Sequence, residues 1–186
     1  MRVRWLGNSC VEIFGKKHVV IDPNYIVEPK QEIDYLLVTH EHSDHFDLEK
    51  LKKLRANNLI APRFVLKRYG LEGITAEVGK EIEGIKVLES WCWKAVESFS
   101  YFYMGVLHPG DSAKFPEVKG VKVVFTACFP DFYPKYVEEL KRLKPKLVIP
   151  FHYSPKKRSN AEGLKEMLER EKIACRIIEI GEEIEI

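Results

Sequence analysis

Runs of apolar residues recur along this chain at two periods, which together predict short strands and amphipathic helices. Apolar or alternating runs predict strands before residue 38, around 59–60, in hairpin-like pairs through 81–108, and at 121–126 and 147–151. Helix-like spacing predicts helices near 47–56, 62–69, 134–143 and 160–171. Residues 176–180 and 183–186 alternate apolar and polar side chains, as half-buried edge strands do.

The order of these elements indicates the fold class. Strands dominate the start of the chain and helices are spaced through each half, which suits two packed sheets with helices outside them. A chain of 186 residues that is 45% hydrophobic can build one substantial core. Since no low-complexity linker or repeat interrupts it, we interpret residues 1–186 as one α/β (α+β) domain.

The densest chemical signal is a histidine cluster. Three of the six histidines, His40, His42 and His45, lie within six residues, together with Asp44. They follow the apolar run 35–38, so the end of a buried strand delivers three imidazoles and a carboxylate to one place, as in a metal site. Alternate side chains of an extended segment share a face, which lets His40, His42 and Asp44 converge. The alternative is a polar turn with solvated histidines.

The spacing His-x-His-x-Asp-His in this strand-then-helix setting is the signature of the metallo-β-lactamase superfamily, which this chain resembles over most of its length. The resemblance implies a four-layer αββα sandwich with metal at one sheet edge. It also implies a hydrolase that attacks its substrate with metal-bound hydroxide, for which Asp44 is the candidate catalytic residue as well as a ligand.

Three further residues match the family's site in chain order. Asp111, in the segment His-Pro-Gly-Asp-Ser at 108–112, matches the aspartate that bridges two metals, and His152, after the run 147–151, matches the last ligand. Asp22 ends an apolar strand and matches an aspartate that orients a ligand from beneath by hydrogen bonding. Taken alone, Asp22 could equally begin an Asp-Pro turn, and His152 could be a structural histidine.

Residues 5–9 and 21–23 are similar to the ascorbate-phosphate lactonase-like branch of the superfamily. Members of that branch often carry a histidine after the glycine of the first segment, where this chain has Asn8. This difference leaves open whether the loop contributes to the site.

A second difference concerns the number of metals. The family normally supplies one more histidine between its two motifs, yet no histidine lies between His45 and His108. The corresponding segment, 85–93, contains Cys92, whose thiolate could replace an imidazole on zinc. A free cysteine is more commonly a small buried hydrophobe, so the sequence favours a packed Cys92.

Two unequal ligand sets follow from these assignments. One contains Asp44, His45, Asp111 and His152, and the other contains only His40, His42 and the shared Asp111. We therefore expect one tightly held zinc and a second that binds more weakly, with manganese or iron as alternative metals.

Aromatic residues flank the proposed ligands. Trp91, Cys92, Trp93 and Tyr153 are candidates for the wall of a substrate pocket, because such walls orient small ligands beside a reactive centre. Plain core packing explains the same residues equally well. The basic run 156–158 follows His152 closely and could attract an anionic substrate.

Composition limits the binding partners and the cellular compartment that we expect. A net charge of +2 argues neither for nor against nucleic acid. RNA-processing members of the superfamily carry an added domain, and no stretch of this chain is long enough to hold one. Since no apolar run is long enough to span a bilayer either, we expect a small-molecule substrate rather than nucleic acid or a membrane. The four cysteines are dispersed without a Cys-x-x-Cys pair, and the chain begins with strand-like residues rather than a leader, which predicts a reducing cytoplasm. No pattern indicates an oligomeric state.

Two functions remain open on the sequence. The first is a metal-dependent hydrolase of a small ester, lactone or phosphoester. The second is a non-catalytic or ligand-sensing relative that keeps metal for structure, and the missing histidine is its main support.

Overall fold

Two β-sheets and four helices form the fold. The computed structural model describes residues 1–186. The strands are β1 Arg2–Trp5, β2 Val11–Phe14, β3 His18–Ile21, β4 Ile33–Leu37, β5 Ala56–Ala61, β6 Ile74–Thr75, β7 Glu81–Ile82, β8 Ile85–Glu89, β9 Phe99–Tyr103, β10 Val106–His108, β11 Val123–Ala127, β12 Leu147–Phe151 and β13 Glu183–Glu185. The helices are α1 Leu48–Lys53, α2 Arg63–Tyr69, α3 Tyr133–Leu143 and α4 Arg158–Arg170.

The first sheet lies between two apolar layers. Its strand order is β13-β1-β2-β3-β4-β5-β6. Because side chains alternate along a strand, Ile21 and Leu37 face the second sheet, whereas their neighbours Val20 and Leu36 face α1 and α2. Burial on both faces explains why residues 19–21 of β3 and 35–37 of β4 are continuous apolar runs.

The second sheet has the order β12-β11-β10-β9-β8-β7. Tyr136 and Leu140 of α3 and Leu164 and Leu168 of α4 are buried in the same apolar core as this sheet. The helices therefore form the fourth layer, and the expected αββα arrangement is confirmed.

Parallel strands bring the candidate site residues to one edge of the sandwich. Strands β3, β4 and β5 are parallel in the first sheet, and β10, β11 and β12 are parallel in the second. Asp22 follows β3, His40 follows β4, Asp111 follows β10 and His152 follows β12. Their positions at the carboxyl ends of these strands allow residues far apart in sequence to meet.

One local prediction was wrong. Residues 176–180 form no strand, and only the preceding Cys175 makes a bridge, to Val148. The chain there crosses from the second sheet to the edge of the first, where it forms β13. Elsewhere the hairpin-like pairing expected through 81–108 is present: Met104 and Gly105 both adopt positive φ angles, 50° and 93°, and reverse the chain between β9 and β10. Strand β8 ends at Glu89, so 90–93 belongs to a loop.

The helix predicted near 47–56 is shorter than expected. It ends at Lys53, because the residues from Ala56 onward pair with β4 as strand β5. None of the four helices is long and apolar enough to cross a bilayer.

Candidate metal centre

Four side chains converge at the edge between the two sheets, and we call them the Asp44 group: Asp44, His45, Asp111 and His152. His45 Nε2 lies 2.9 Å from Asp111 Oδ1, and His152 Nε2 lies 3.4 Å from the same oxygen. Asp44 Oδ2 is 3.2 Å from His152 Nε2. One ligand atom from each residue lies within 4.8 Å of the others, which is close enough to surround one metal ion.

A second cluster, the His40 group, contains His40, His42, Cys92 and Asp111. Cys92 Sγ lies 3.4 Å from His40 Nε2 and 3.6 Å from His42 Nδ1. His40 Nε2 lies 3.9 Å from Asp111 Oδ2. These four ligand atoms also lie within 4.8 Å of one another.

Asp111 is the residue that the two groups share. Its Oδ1 faces His45 and His152, while its Oδ2 faces His40. A carboxylate that presents one oxygen to each cluster is suited to bridge two cations.

A tight turn divides the histidine motif between the groups. The backbone N–H groups of His45 and Phe46 both donate to the carbonyl of His42, at 2.9 and 2.8 Å. The segment is therefore not extended beyond His42, and Asp44 joins His45 instead of converging with His40 and His42.

Asp22 supports the histidine loop from below. Its Oδ2 lies 2.6 Å from His45 Nδ1 and accepts a hydrogen bond from Thr39 Oγ1 at 2.8 Å, and its Oδ1 accepts one from Thr39 N at 2.7 Å. Burial opposes ionisation of this carboxyl, but the charge and hydrogen bond of His45 hold its pKa below the ordinary value. Asp22 thus orients the ring of His45 so that Nε2 points at Asp111.

His40 and His45, the two buried histidines of the ligand groups, differ in charge when no metal is bound. Burial disfavours the charged form of His45, yet the carboxylates of Asp111 and Asp22 outweigh burial and raise its pKa to about 10. Burial and the charge of His45 lower the pKa of His40 to about 3, so its ring is neutral and available as a ligand. The imidazole of His152, 3.2 Å from Asp44 Oδ2, lowers the pKa of Asp44 to about 2, which keeps this carboxylate ionised.

His152 shows that the cluster fits a cation. Its Nε2 is buried and makes no hydrogen bond of acceptable geometry, although two carboxylates lie within 3.4 Å of it. Its backbone has a φ of 63° and is held by a 2.9 Å hydrogen bond to the carbonyl of Asn8. An unpaired buried nitrogen fixed beside two carboxylates is what a metal ligand requires. Asn8 therefore contributes to the site through its backbone.

A cavity of about 500 Å³ opens beside the His40 group. Trp91, Cys92 and Trp93 line one part of it, together with His42 and Asp111. Trp91 and Trp93 belong to neither apolar core, and their side chains are 43% and 81% exposed. The structure therefore places the two tryptophans beside the ligands.

Tyr153 lies away from the tryptophans. It lines a separate hollow of about 380 Å³ with Asp44, His152 and Lys157, and its ring packs 4.7 Å from that of Trp5. Lys157 is the part of the basic run 156–158 that borders the site. Arg158, by contrast, is paired with glutamates outside it.

Several residues of the site escaped the sequence reasoning. Phe129, after β11, lines both cavities, and the larger cavity also contains Phe132, Lys114 and Lys135. The one available signal was topological, since Phe129 follows a strand parallel to the strand that ends at His152. Another hollow, of about 920 Å³, is lined by six polar or charged residues between 31 and 57 and by none of the candidate ligands.

Comparison with known proteins agrees with this geometry. Residues 2–152 match the family model described as the beta-lactamase superfamily domain. A UPF0173 protein of Pyrococcus furiosus is 30% identical over 93% of both chains. A UPF0173 metal-dependent hydrolase of Thermoplasma acidophilum is 30% identical, covering 83% of this chain and 84% of its own length.

The fold has a relative among solved structures. A candidate metal-dependent hydrolase of Parabacteroides distasonis superposes with a TM-score of 0.77 at 20% identity, over 94% of this chain and 91% of that protein. At this identity the match speaks for the fold alone. The closer resemblance to the ascorbate-phosphate lactonase-like branch stays a prediction. The matched domain and relatives show that the chain belongs to the beta-lactamase superfamily and, within it, to the UPF0173 metal-dependent hydrolases.

Proposed function

We propose that the protein is a zinc-dependent hydrolase of a small ester, lactone or phosphoester. The observation that carries the proposal is the position of Asp111, which directs one carboxylate oxygen toward each of two ligand groups. Both groups lie at the carboxyl ends of parallel strands and open into cavities. Shared ligation beside an open pocket is the arrangement of two-metal hydrolytic sites.

The protein's own residues have separate tasks in this proposal. Bound at the two groups, zinc would supply a water of lowered pKa and a Lewis acid for the substrate's carbonyl or phosphoryl oxygen. Asp44, ionised and 49% exposed, can accept a hydrogen bond from the attacking water and so orient it. His45 and Asp111 stay fixed because Asp22 holds His45 from behind.

The donor atoms favour zinc over the harder cations. Each group combines imidazole nitrogens with a carboxylate, and one of them also offers sulfur. Magnesium and calcium prefer all-oxygen sites, whereas zinc, iron and manganese accept imidazole. Zinc accepts all three donor types that are present, namely imidazole, carboxylate and thiolate.

The larger cavity supports a substrate with an apolar body and a negative charge. Trp91, Phe129 and Phe132 provide apolar surface, and Lys114 also lines the cavity. Lys135 lines it as well, but its ammonium group is paired with two glutamates, so Lys114 is the lysine that can attract a negative charge. Lys114 Nζ lies 4.2 Å from the centre of the Trp91 ring, so the cation and the aromatic wall are adjacent. We propose that this cavity receives the acyl or phosphoryl side of the substrate, and that the smaller hollow beside Tyr153 receives the leaving group.

We also propose a cytoplasmic location, on the chemistry of the cysteines. All four are free, and Cys10 and Cys128 are buried without a disulfide partner. Thiols persist in this form where cellular reductants act, and a cysteine in a metal site needs the same conditions.

The test is a hydrolysis screen under metal control. The protein is stripped with a chelator, reloaded with zinc or manganese, and assayed against p-nitrophenyl esters, short lactones and bis-p-nitrophenyl phosphate. We expect one substrate class to be hydrolysed only after reloading, with the rate lost in Asp111→Ala and kept in Asp131→Ala, an exposed control. Tight zinc binding without hydrolysis of any class would instead support the non-catalytic, ligand-sensing alternative.

A further inference from the structure

The Cys92 thiol lies close to both histidines of the His40 group. Its Sγ is 3.4 Å from His40 Nε2 and 3.6 Å from His42 Nδ1, and Asp111 Oδ2 closes the group on the opposite side. We propose that Cys92 is a metal ligand, so that the His40 group is a thiolate-containing site that selects a thiophilic metal such as zinc. The inference rests on the proposed function, because it assumes that the ligand groups bind metal.

The loop that carries Cys92 is tied to the metal centre at both ends. On one side, Ser90 Oγ donates a 2.8 Å hydrogen bond to the carbonyl of Pro109, two residues before Asp111. On the other side, Val96 N donates at 2.6 Å to Glu41 Oε1, and Glu41 lies between His40 and His42. Cys92 is thus suspended between the two segments that supply the other ligands, and its position does not depend on the loop alone.

Packing does not account for Cys92. Cys10 and Cys128 are fully buried members of the two apolar cores, whereas Cys92 is partly exposed and belongs to neither. Its nearest polar neighbours are two imidazole nitrogens. A side chain that only filled space would face carbon atoms, so the surroundings of Cys92 are those of a ligand rather than a small hydrophobe.

A cysteine in place of the family's usual histidine changes which metals the two sites accept. With Cys92, the His40 group offers one sulfur, two nitrogens and one oxygen, while the Asp44 group offers two nitrogens and two oxygens. A thiolate selects zinc, cobalt or cadmium over manganese and magnesium, whereas the nitrogen–oxygen set also accepts iron and manganese. The family histidine that this chain lacks therefore does not leave one site a ligand short. Both sites have four ligands, and they differ in the metals that they select. When the metal binds, the Cys92 thiol proton passes to solvent.

Cobalt(II) is the probe that reports the thiolate directly. The chelator-stripped full-length protein is loaded with cobalt, and both bound cobalt and the near-ultraviolet thiolate-to-cobalt charge-transfer band are measured. We expect two cobalt ions per chain with the band present. Cys92→Ser should lose the band and one cobalt, and Cys92→His should keep two cobalt ions without the band. Cys175→Ser, a control at another partly buried cysteine, should keep both.

Two results would overturn the inference and leave the proposed function standing. One is two bound cobalt ions in the wild-type protein without the band, and the other is a band that persists in Cys92→Ser. Complete failure to bind cobalt would instead contradict the proposed metal centre itself. The thermal unfolding midpoint of each variant checks that its fold is intact, so a lost band reports the ligand.

Discussion

His45 Nδ1 lies 2.6 Å from Asp22 Oδ2, and both side chains are completely buried. This pair joins the segments that follow β3 and β4 and determines the direction in which the other ring nitrogen points. His45 Nε2 consequently faces Asp111 across the gap between the sheets, at 2.9 Å. The orientation of His45, a candidate metal ligand, thus depends on a carboxylate that lies outside both ligand groups.

Asp22→Asn tests that dependence with little change in shape. Asp22 has a φ of 57°, a conformation that asparagine tolerates well, so the backbone should survive the substitution. Removing the charge behind His45 should weaken zinc binding about 10- to 100-fold, the usual effect of losing such a partner. Competition with a chromophoric chelator measures this, and Asp131→Asn serves as the control. Unchanged zinc affinity in a folded Asp22→Asn protein would show that Asp22 only shapes the turn.

The Asp44 group should hold its metal more tightly than the His40 group. His45 and Asp111 are already in contact, whereas Cys92 must lose a proton that burial and nearby carboxylates retain by raising its pKa to about 12. After dialysis against a weak chelator, His152→Ala should therefore retain less zinc than His40→Ala. Equal losses, measured by elemental analysis, would contradict the ranking of the two sites.

Metal binding should release protons in the neutral range. Because carboxylates raise the pKa of His45 to about 10, its ring is protonated below that pH in the metal-free protein. A metal at Nε2 must displace one proton, so zinc affinity should rise about tenfold per pH unit from pH 7 toward 10. Calorimetry in two buffers with different ionisation enthalpies counts the protons. A binding enthalpy that does not depend on the buffer would contradict this protonation state.

Trp93 should affect the substrate rather than stability. Its side chain is 81% exposed at the mouth of the larger cavity, so Trp93→Ala should change unfolding free energy by only about 0.5 kcal/mol while raising KM. Trp5, only 1% exposed, is the contrast, and its truncation should cost about 3–5 kcal/mol. A large loss of stability with unchanged KM in Trp93→Ala would make Trp93 a packing residue.

Local patterns in the sequence predicted much of the fold and brought out the candidate ligand residues, because hydrophobic alternation and histidine spacing lie within short segments. The features that these patterns did not predict depend on contacts between distant segments. Residues 176–180 alternate like an edge strand but cross between sheets, since the available edge next to β1 belongs to β13. Likewise, Cys92 reaches the histidines through hydrogen bonds from Ser90 to Pro109 and from Val96 to Glu41, which no local spacing encodes.

Phe129 and Lys114 illustrate the same limit for the pocket. Each lies on a loop without periodicity, and each reaches the site because the strand before it ends at the reactive edge. The pocket residues are therefore brought together by the sheet topology, whereas the histidine motif can be recognised from local sequence spacing.

Anomalous diffraction from zinc-loaded crystals at the zinc absorption edge would locate two metals that share Asp111. We expect two peaks per chain about 3.5–4 Å apart, the spacing of two-metal hydrolytic sites. One peak should lie among Asp44, His45 and His152, the other should lie against Cys92, and Asp111 should contact both. A single peak, or peaks away from Asp111, would show that Asp111 does not bridge two metals.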